Sequence, residues 1–128
     1  MDLLISIKPN FVEKIILNEK KYEFRKTIFK RSVERIFIYS TFPEKKIVGY
    51  FVSGGIIKNS PEKLWENFGD VSGISYESFF NYFKGKDEGF AIKINDLNVF
   101  SKPIDTRKLE NFKAPQSFYY IDGDVITQ

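Results

Sequence analysis

The chain has 128 residues, the length of one domain, with 42% hydrophobic and 17% aromatic residues and a formal net charge of +3. It contains no cysteine and no histidine. A disulfide framework, a thiol nucleophile, an imidazole general base and the usual zinc sites are therefore excluded.

Catalysis would have to use Lys, Asp, Glu, Tyr, Ser or Thr, and a metal would need oxygen ligands, which favours Mg²⁺ or Mn²⁺. Neither a metal nor a cofactor is expected. Met1 to Lys8 lacks the basic start of a secretory signal, and no apolar run reaches membrane-spanning length. The expectation is a soluble, cytoplasmic protein with no membrane partner. Charge is unevenly placed. Between Lys20 and Arg35 lie seven basic and two acidic residues, a local excess of +5 on an otherwise slightly acidic chain. Such asymmetry fits contact with a polyanion, and equally fits a solvated loop with no partner.

Leu3 to Lys8 reads as a strand ended by Pro9. A helix follows, for which Asn10 to Glu13 fits a capping box; alternatively Pro9 is its first residue. Phe11, Val12, Ile15 and Ile16 give it an apolar face. Asn18, tolerant of left-handed geometry, should stop it. Lys20 to Lys26 is then delivered as a strand, with Tyr22 and Phe24 on one face and Glu23 and Arg25 on the other. Thr27 to Glu34 is a basic loop pinned by Ile28 and Phe29. Arg35 to Ser40 is apolar on both faces and should be central.

Thr41 to Lys45 is a turn, and Lys46 to Ile57 a long strand. Within it Gly49 predicts a bulge or close backbone approach, and Gly54-Gly55 a bend. Ser60-Pro61 opens a helix with Leu64, Trp65 and Phe68 inward, ended by Gly69. Ser75 caps another, whose Tyr76, Phe79, Phe80 and Phe83 form a stripe read as core packing. Asp87 to Phe100 is a strand pair or one strand bent at Asn95-Asp96. Pro103 to Glu110 is a turn or short helix, Ala114 to Ile121 a last strand, and Val125 to Gln128 a frayed end. The order makes an α+β domain, an antiparallel barrel-like sheet covered by helices.

Lys20, Glu23 and Arg25 fall within six residues, and two of them share a strand face. They form either a polar face with an ion pair of little consequence or the wall of a pocket for a base or a phosphate. Three segments give that choice a context: Leu4-Ile5-Ser6-Ile7-Lys8-Pro9, Lys20 to Arg25, and Ile38-Tyr39-Ser40. With Ala114 to Phe118 near the end, they resemble the ASCH family of the PUA-like superfamily over nearly the whole chain. The family's G-x-K-x-x-E-x-R motif falls on Asn18, Lys20, Glu23 and Arg25. Asn18 replaces the glycine, a mild change where a left-handed turn is required.

The resemblance implies one PUA-like, mostly antiparallel β-barrel over residues 1–128, with covering helices and a cleft beside the first helix. It also implies binding of RNA or modified nucleotides, with roles in transcription or translation. The related EVE and YTH domains hold a modified base in an aromatic-lined pocket. Some ASCH proteins hydrolyse N4-acylated cytidines, and a ribonuclease activity is known among them. In the amidohydrolases a threonine stands where this chain has Glu23.

The candidate site residues follow from both readings. Arg25 offers a fork of donors, Glu23 can accept from an exocyclic amine or hold Arg25, and Lys20 and Lys8 supply charge. Lys30 and Arg31 of the basic loop would meet the phosphate backbone. Tyr39, Trp65 and Phe118 are candidate stacking surfaces. Ser40 and Gln116 are candidate readers of base edges. If the protein is an enzyme, Lys20 and Glu23 would carry acid–base work. A binding module for RNA or a modified nucleotide is the favoured reading. A small hydrolase of acylated nucleosides or RNA and a protein-interaction scaffold are the alternatives.

Overall fold

A parallel strand pair begins the fold. In the computed structural model, which describes residues 1–127, β1 (Asp2–Ile7) lies beside β3 (Ile36–Ser40) with Leu3 opposite Ile36 and Ile7 opposite Ser40. Antiparallel strands therefore do not account for the whole sheet. Between these two strands the chain makes the helix α1 (Pro9–Ile16) and the edge strand β2 (Tyr22–Arg25), a connection long enough to return β3 in the same direction. The remaining pairings, of β3 with β4 (Lys46–Asn59), β4 with β5 (Gly89–Asp105), β5 with β2 and β1 with β6 (Phe118–Ile121), are antiparallel. The sheet runs β2-β5-β4-β3-β1-β6 and curls into a half-barrel, the mostly antiparallel PUA-like α+β fold. Three further α-helices among the described residues complete it: α2 (Pro61–Phe68), α3 (Tyr76–Tyr82) and α4 (Gly123–Ile126).

Alternation along β1 and β3 divides the core. Leu3, Ile5, Ile7, Ile36 and Ile38 face one side and pack with Val12 and Ile15 of α1. Leu4, Phe37 and Tyr39 face the other, with Ile47 and the partly buried Tyr50, Phe100 and Phe112. All five residues of β3 are buried, as a central strand apolar on both faces requires. A third cluster joins Phe24 and Ala91 to Leu64, Phe79 and Phe83, and so fixes α2 and α3 against the β2–β5 edge.

Local signals worked where one residue type has one use. Asn18 takes φ 63° after α1, and its backbone N–H donates to Ile15 O. Ser60 and Ser75 accept from the backbone N–H groups of Lys63 and Ser78. Gly49 packs so closely on the Asn98 carbonyl that a Cβ would overlap it, and the β4–β5 register shifts there. The Asn10 capping box does not form. Pro9 is the first helical residue, and Lys8 holds the cap position without a side-chain bond. The segment after Asp87 is one strand, with Asp96 at φ 49° as its bend, and it runs on through Pro103. The last turn, α4, docks where fraying was expected; Gln128 lies outside the described residues.

Candidate nucleic-acid site

Between α1, α3 and β2 lies a cleft of about 660 Å³. Its floor is the motif strand. Lys20 is only 4% exposed and Glu23 6%. Lys20 Nζ donates to the Ser72 carbonyl at 2.7 Å and stands 3.4 Å from Glu23 Oε1. It also lies 5.4 Å from the Phe11 ring centre and 5.2 Å from that of Phe24. Arg25 Nη2 donates to Glu23 Oε2 at 2.6 Å and to the Ser6 carbonyl at 2.7 Å, while Nη1 reaches Ser117 Oγ at 3.2 Å.

The electrostatics follow from burial. Removal from water pushes Lys20 below the ordinary lysine value, and the nearby Glu23 carboxylate offsets that only in part. Burial alone would push Glu23 upward. Arg25, then Lys20, outweigh it and hold the carboxyl below its ordinary value. The triad is thus a lysine, a carboxylate and a guanidinium joined in one largely buried network. Arg25 spends its donors inside the protein, so its fork is a brace between strands rather than a free hand for phosphate.

Above this floor the walls are aromatic: the half-buried Phe11 and Tyr82, and the buried Phe24 and Phe79. Burial raises the Tyr82 hydroxyl pKa, and Lys26 Nζ stands 4.6 Å from its ring centre. Asn10, Asn81 and Gln116, all exposed, bring carboxamides to the cleft, and Lys8 adds an exposed ammonium.

Of the residues expected at a site, the fold brings Lys8, Lys20, Glu23, Arg25 and Gln116 to this cleft. It does not bring the others. Tyr39 is buried against Phe112, Trp65 packs on Phe79 and Tyr76, and Phe118 meets Phe29 edge-on, so none of the expected stacking surfaces lines it. Ser40 is fully buried in β3, and its Oγ has no partner among the described residues. Lys30 and Arg31 are exposed but outside the cleft, and both backbone N–H groups donate to the Tyr120 hydroxyl. The basic segment is also less free than its charge count implies. Lys20 and Arg25 pair with Glu23, and Arg35 pairs with Asp2 and Asp124.

Sequence reasoning passed over Asn10, Phe11, Ser78, Asn81 and Tyr82. One signal was available. Ser78, Asn81 and Tyr82 recur at i, i+3 and i+4 on α3, a polar line beside the aromatic stripe.

The curled α+β sheet with its covering helices has the fold of a PUA-like domain. The chain is 29% identical over 125 residues to the ASCH domain-containing ribonuclease of Zymomonas mobilis, covering 94% of this chain and 84% of that protein. Crystal structures of the ASCH protein from Zymomonas mobilis superpose with a TM-score of 0.86 at 27% identity, covering 96% of this chain and 89% of that one. Its serine-to-alanine variant superposes at 0.88, with 25% identity and coverage of 98% and 94%. The chain is thus similar over nearly its whole length to proteins of the ASCH domain family. It also matches the large ribosomal subunit protein uL22 of Ureaplasma parvum, at 28% identity over 93% of this chain but only 39% of that longer protein. No family model matches the sequence. No helix among the described residues is long and apolar enough to cross a membrane.

Proposed function

We propose that this domain binds single-stranded RNA or a modified nucleotide, taking one base into the cleft over Lys20, Glu23 and Arg25. One observation carries the reading: aromatic walls, three carboxamides and an exposed lysine converge on one cleft whose floor is an ion network. Aromatic faces stack a base, carboxamides can match donors and acceptors on its edge, and Lys8 with Lys26 supplies charge for phosphate. The ribonuclease named among its relatives acts on RNA, which supports the same ligand class. The test is a salt titration of binding to a short single-stranded RNA, for the wild type, Asn81→Ala and Lys8→Ala. Asn81→Ala should weaken binding with the salt slope kept, and Lys8→Ala should lower the slope by about one. Wild-type protein that fails to bind at low salt would end this reading.

A second reading, that the cleft also cleaves RNA, is favoured by the lowered pKa of Lys20, which brings its neutral amine closer to physiological pH. Lys20 would accept the proton of a 2′-hydroxyl. The 2′-oxygen would then attack the adjacent phosphorus, and the bond to the 5′-oxygen would break, with water protonating the leaving oxygen. Hydrolysis of labelled RNA by the wild type, abolished in a folded Lys20→Met, would support it. Equal background cleavage by both proteins would remove it.

A further inference from the structure

The stacking surfaces expected from the sequence are packed in the core, which leaves the bases beyond the first without a seat. One aromatic ring outside the core answers the description. Phe42 is 76% exposed, and no other large apolar side chain among the described residues is as open. Single exposed apolar residues are common and by themselves mean nothing. Three features set this one apart.

The first is its place. Thr41 lines the cleft, as do Ile7 and Lys8 at the end of β1, so Phe42 stands one residue outside the cleft wall. The second is rigidity. Thr41 N donates to the Ile7 carbonyl at 3.1 Å, and Glu44 N to the Thr41 carbonyl at 3.0 Å. The Lys45 carbonyl accepts from Thr106 N at 3.2 Å and Thr106 Oγ1 at 2.6 Å. The turn is thus tied at both ends, to β1 and to the segment after β5. The backbone that carries the ring therefore has little conformational freedom left to lose on binding. The third is charge. Lys45 Nζ lies 5.6 Å from the Phe42 ring centre and is itself exposed. With Lys8 it gives this side of the cleft two exposed cations.

We propose that Phe42 is a stacking platform for the nucleotide adjoining the one held in the cleft, with Lys45 and Lys8 neutralising the phosphate between them. The proposal rests on the reading of the cleft as a nucleotide site and extends it from one base to two. It makes the protein a reader of single strands, since a base must leave a duplex to lie on the ring.

The experiment is fluorescence anisotropy with a labelled single-stranded RNA hexanucleotide of randomised sequence, competed by the four 5′-mononucleotides. The proteins are the wild type, Phe42→Ala, Phe42→Trp, Lys45→Ala and Asn81→Ala, each first checked for an unchanged melting temperature. Phe42→Ala should lose roughly tenfold in hexanucleotide affinity, as expected for one stacked base, with an unaltered salt slope. Its preference for the hexanucleotide over mononucleotides should shrink by the same factor. Phe42→Trp should restore binding, and Lys45→Ala should lower the salt slope by about one. If Phe42→Ala binds the hexanucleotide like the wild type while Asn81→Ala does not, the cleft stands as a nucleotide site and the platform is wrong. If the wild type binds neither probe at low salt, both readings fall together.

Discussion

Arg25 on β2 donates to the Ser6 carbonyl on β1 at 2.7 Å, although β2 pairs only with β5 and the two strands share no ladder. The same guanidinium reaches Ser117, one residue before β6. β2 and β6 are the two edges of the curled sheet. Arg25 therefore closes the seam of the half-barrel with side-chain bonds, and Glu23 holds the guanidinium in position. Arg25→Lys keeps the charge but not the fork. It should cost roughly 1–3 kcal/mol by denaturant unfolding, the range for charge-assisted hydrogen bonds lost from a buried network. An unchanged midpoint would show that the seam needs no brace.

Glu23 neutralises two cations at once. Glu23→Gln leaves Lys20 and Arg25 without a counter-charge in a buried site and should cost about 3–5 kcal/mol. The double variant Lys20→Met with Glu23→Gln should recover part of that loss, because one buried charge goes with its partner. Thermal unfolding of the wild type, Lys20→Met, Glu23→Gln and the double variant measures the coupling. Additive losses would mean that Lys20 and Glu23 do not interact.

Acid should unfold the protein mainly through two buried carboxylates, Asp2 and Glu23. Burial raises the Asp2 pKa, but Arg35 and the backbone N–H groups of Gly123 and Arg35 more than offset it, so the folded value is lowered. The Glu23 value is lowered as well. Groups with depressed folded values contribute stability above their unfolded pKa, near 4, and lose it as pH falls through the folded values. Stability should therefore be flat on the acid side of neutrality and decline from about pH 5 downward. Asp2→Asn should flatten that decline while lowering stability at pH 7. Lys20 acts at the other end. Its lowered value means that the buried ammonium costs stability at neutral pH, a cost relieved as pH rises toward the ordinary lysine value of 10.5.

Gly49→Ala should be among the costliest small substitutions. The new methyl would meet backbone, the Asn98 carbonyl, which cannot swing aside. A loss of about 1–3 kcal/mol or more is expected, with β4 and β5 forced apart. Gly85→Ala has open space around it, but the left-handed backbone there, φ 81°, makes it strained for a different reason. Chemical denaturation of both variants separates the two causes, since Gly85→Asn should be tolerated and Gly49→Asn should not.

The phosphate-contact face is open to a simple comparison. Lys30→Glu with Arg31→Glu lies outside the cleft, and Lys26→Glu lies beside Tyr82. If RNA follows the cleft, Lys26→Glu should weaken binding and flatten the salt dependence more than the double reversal in the loop. The reverse order would move the backbone path onto the loop between β2 and β3.

The sequence by itself determined the elements whose signals are local. Asn18 stops α1, Ser60 and Ser75 cap two helices, Gly49 marks a bulge, and β3 is central because it is apolar on both faces. It also placed Lys20, Glu23 and Arg25 within reach of one another at a strand entrance, while leaving open whether they form an inconsequential ion pair or a pocket wall. Only the tertiary structure decided what they do there. Beyond Glu23, the acceptors of Arg25 lie 19 and 92 positions away, at Ser6 and Ser117, and no period in the sequence encodes that meeting. The parallel pairing of β1 with β3 was likewise invisible, because strand direction is set by the crossover through α1 and β2 rather than by residue type. The same holds for the aromatics. Tyr39, Trp65 and Phe118 have the chemistry of stacking surfaces, and packing buries or half-buries them, while Phe42, with the same chemistry, is held out in solvent by a turn tied at both ends.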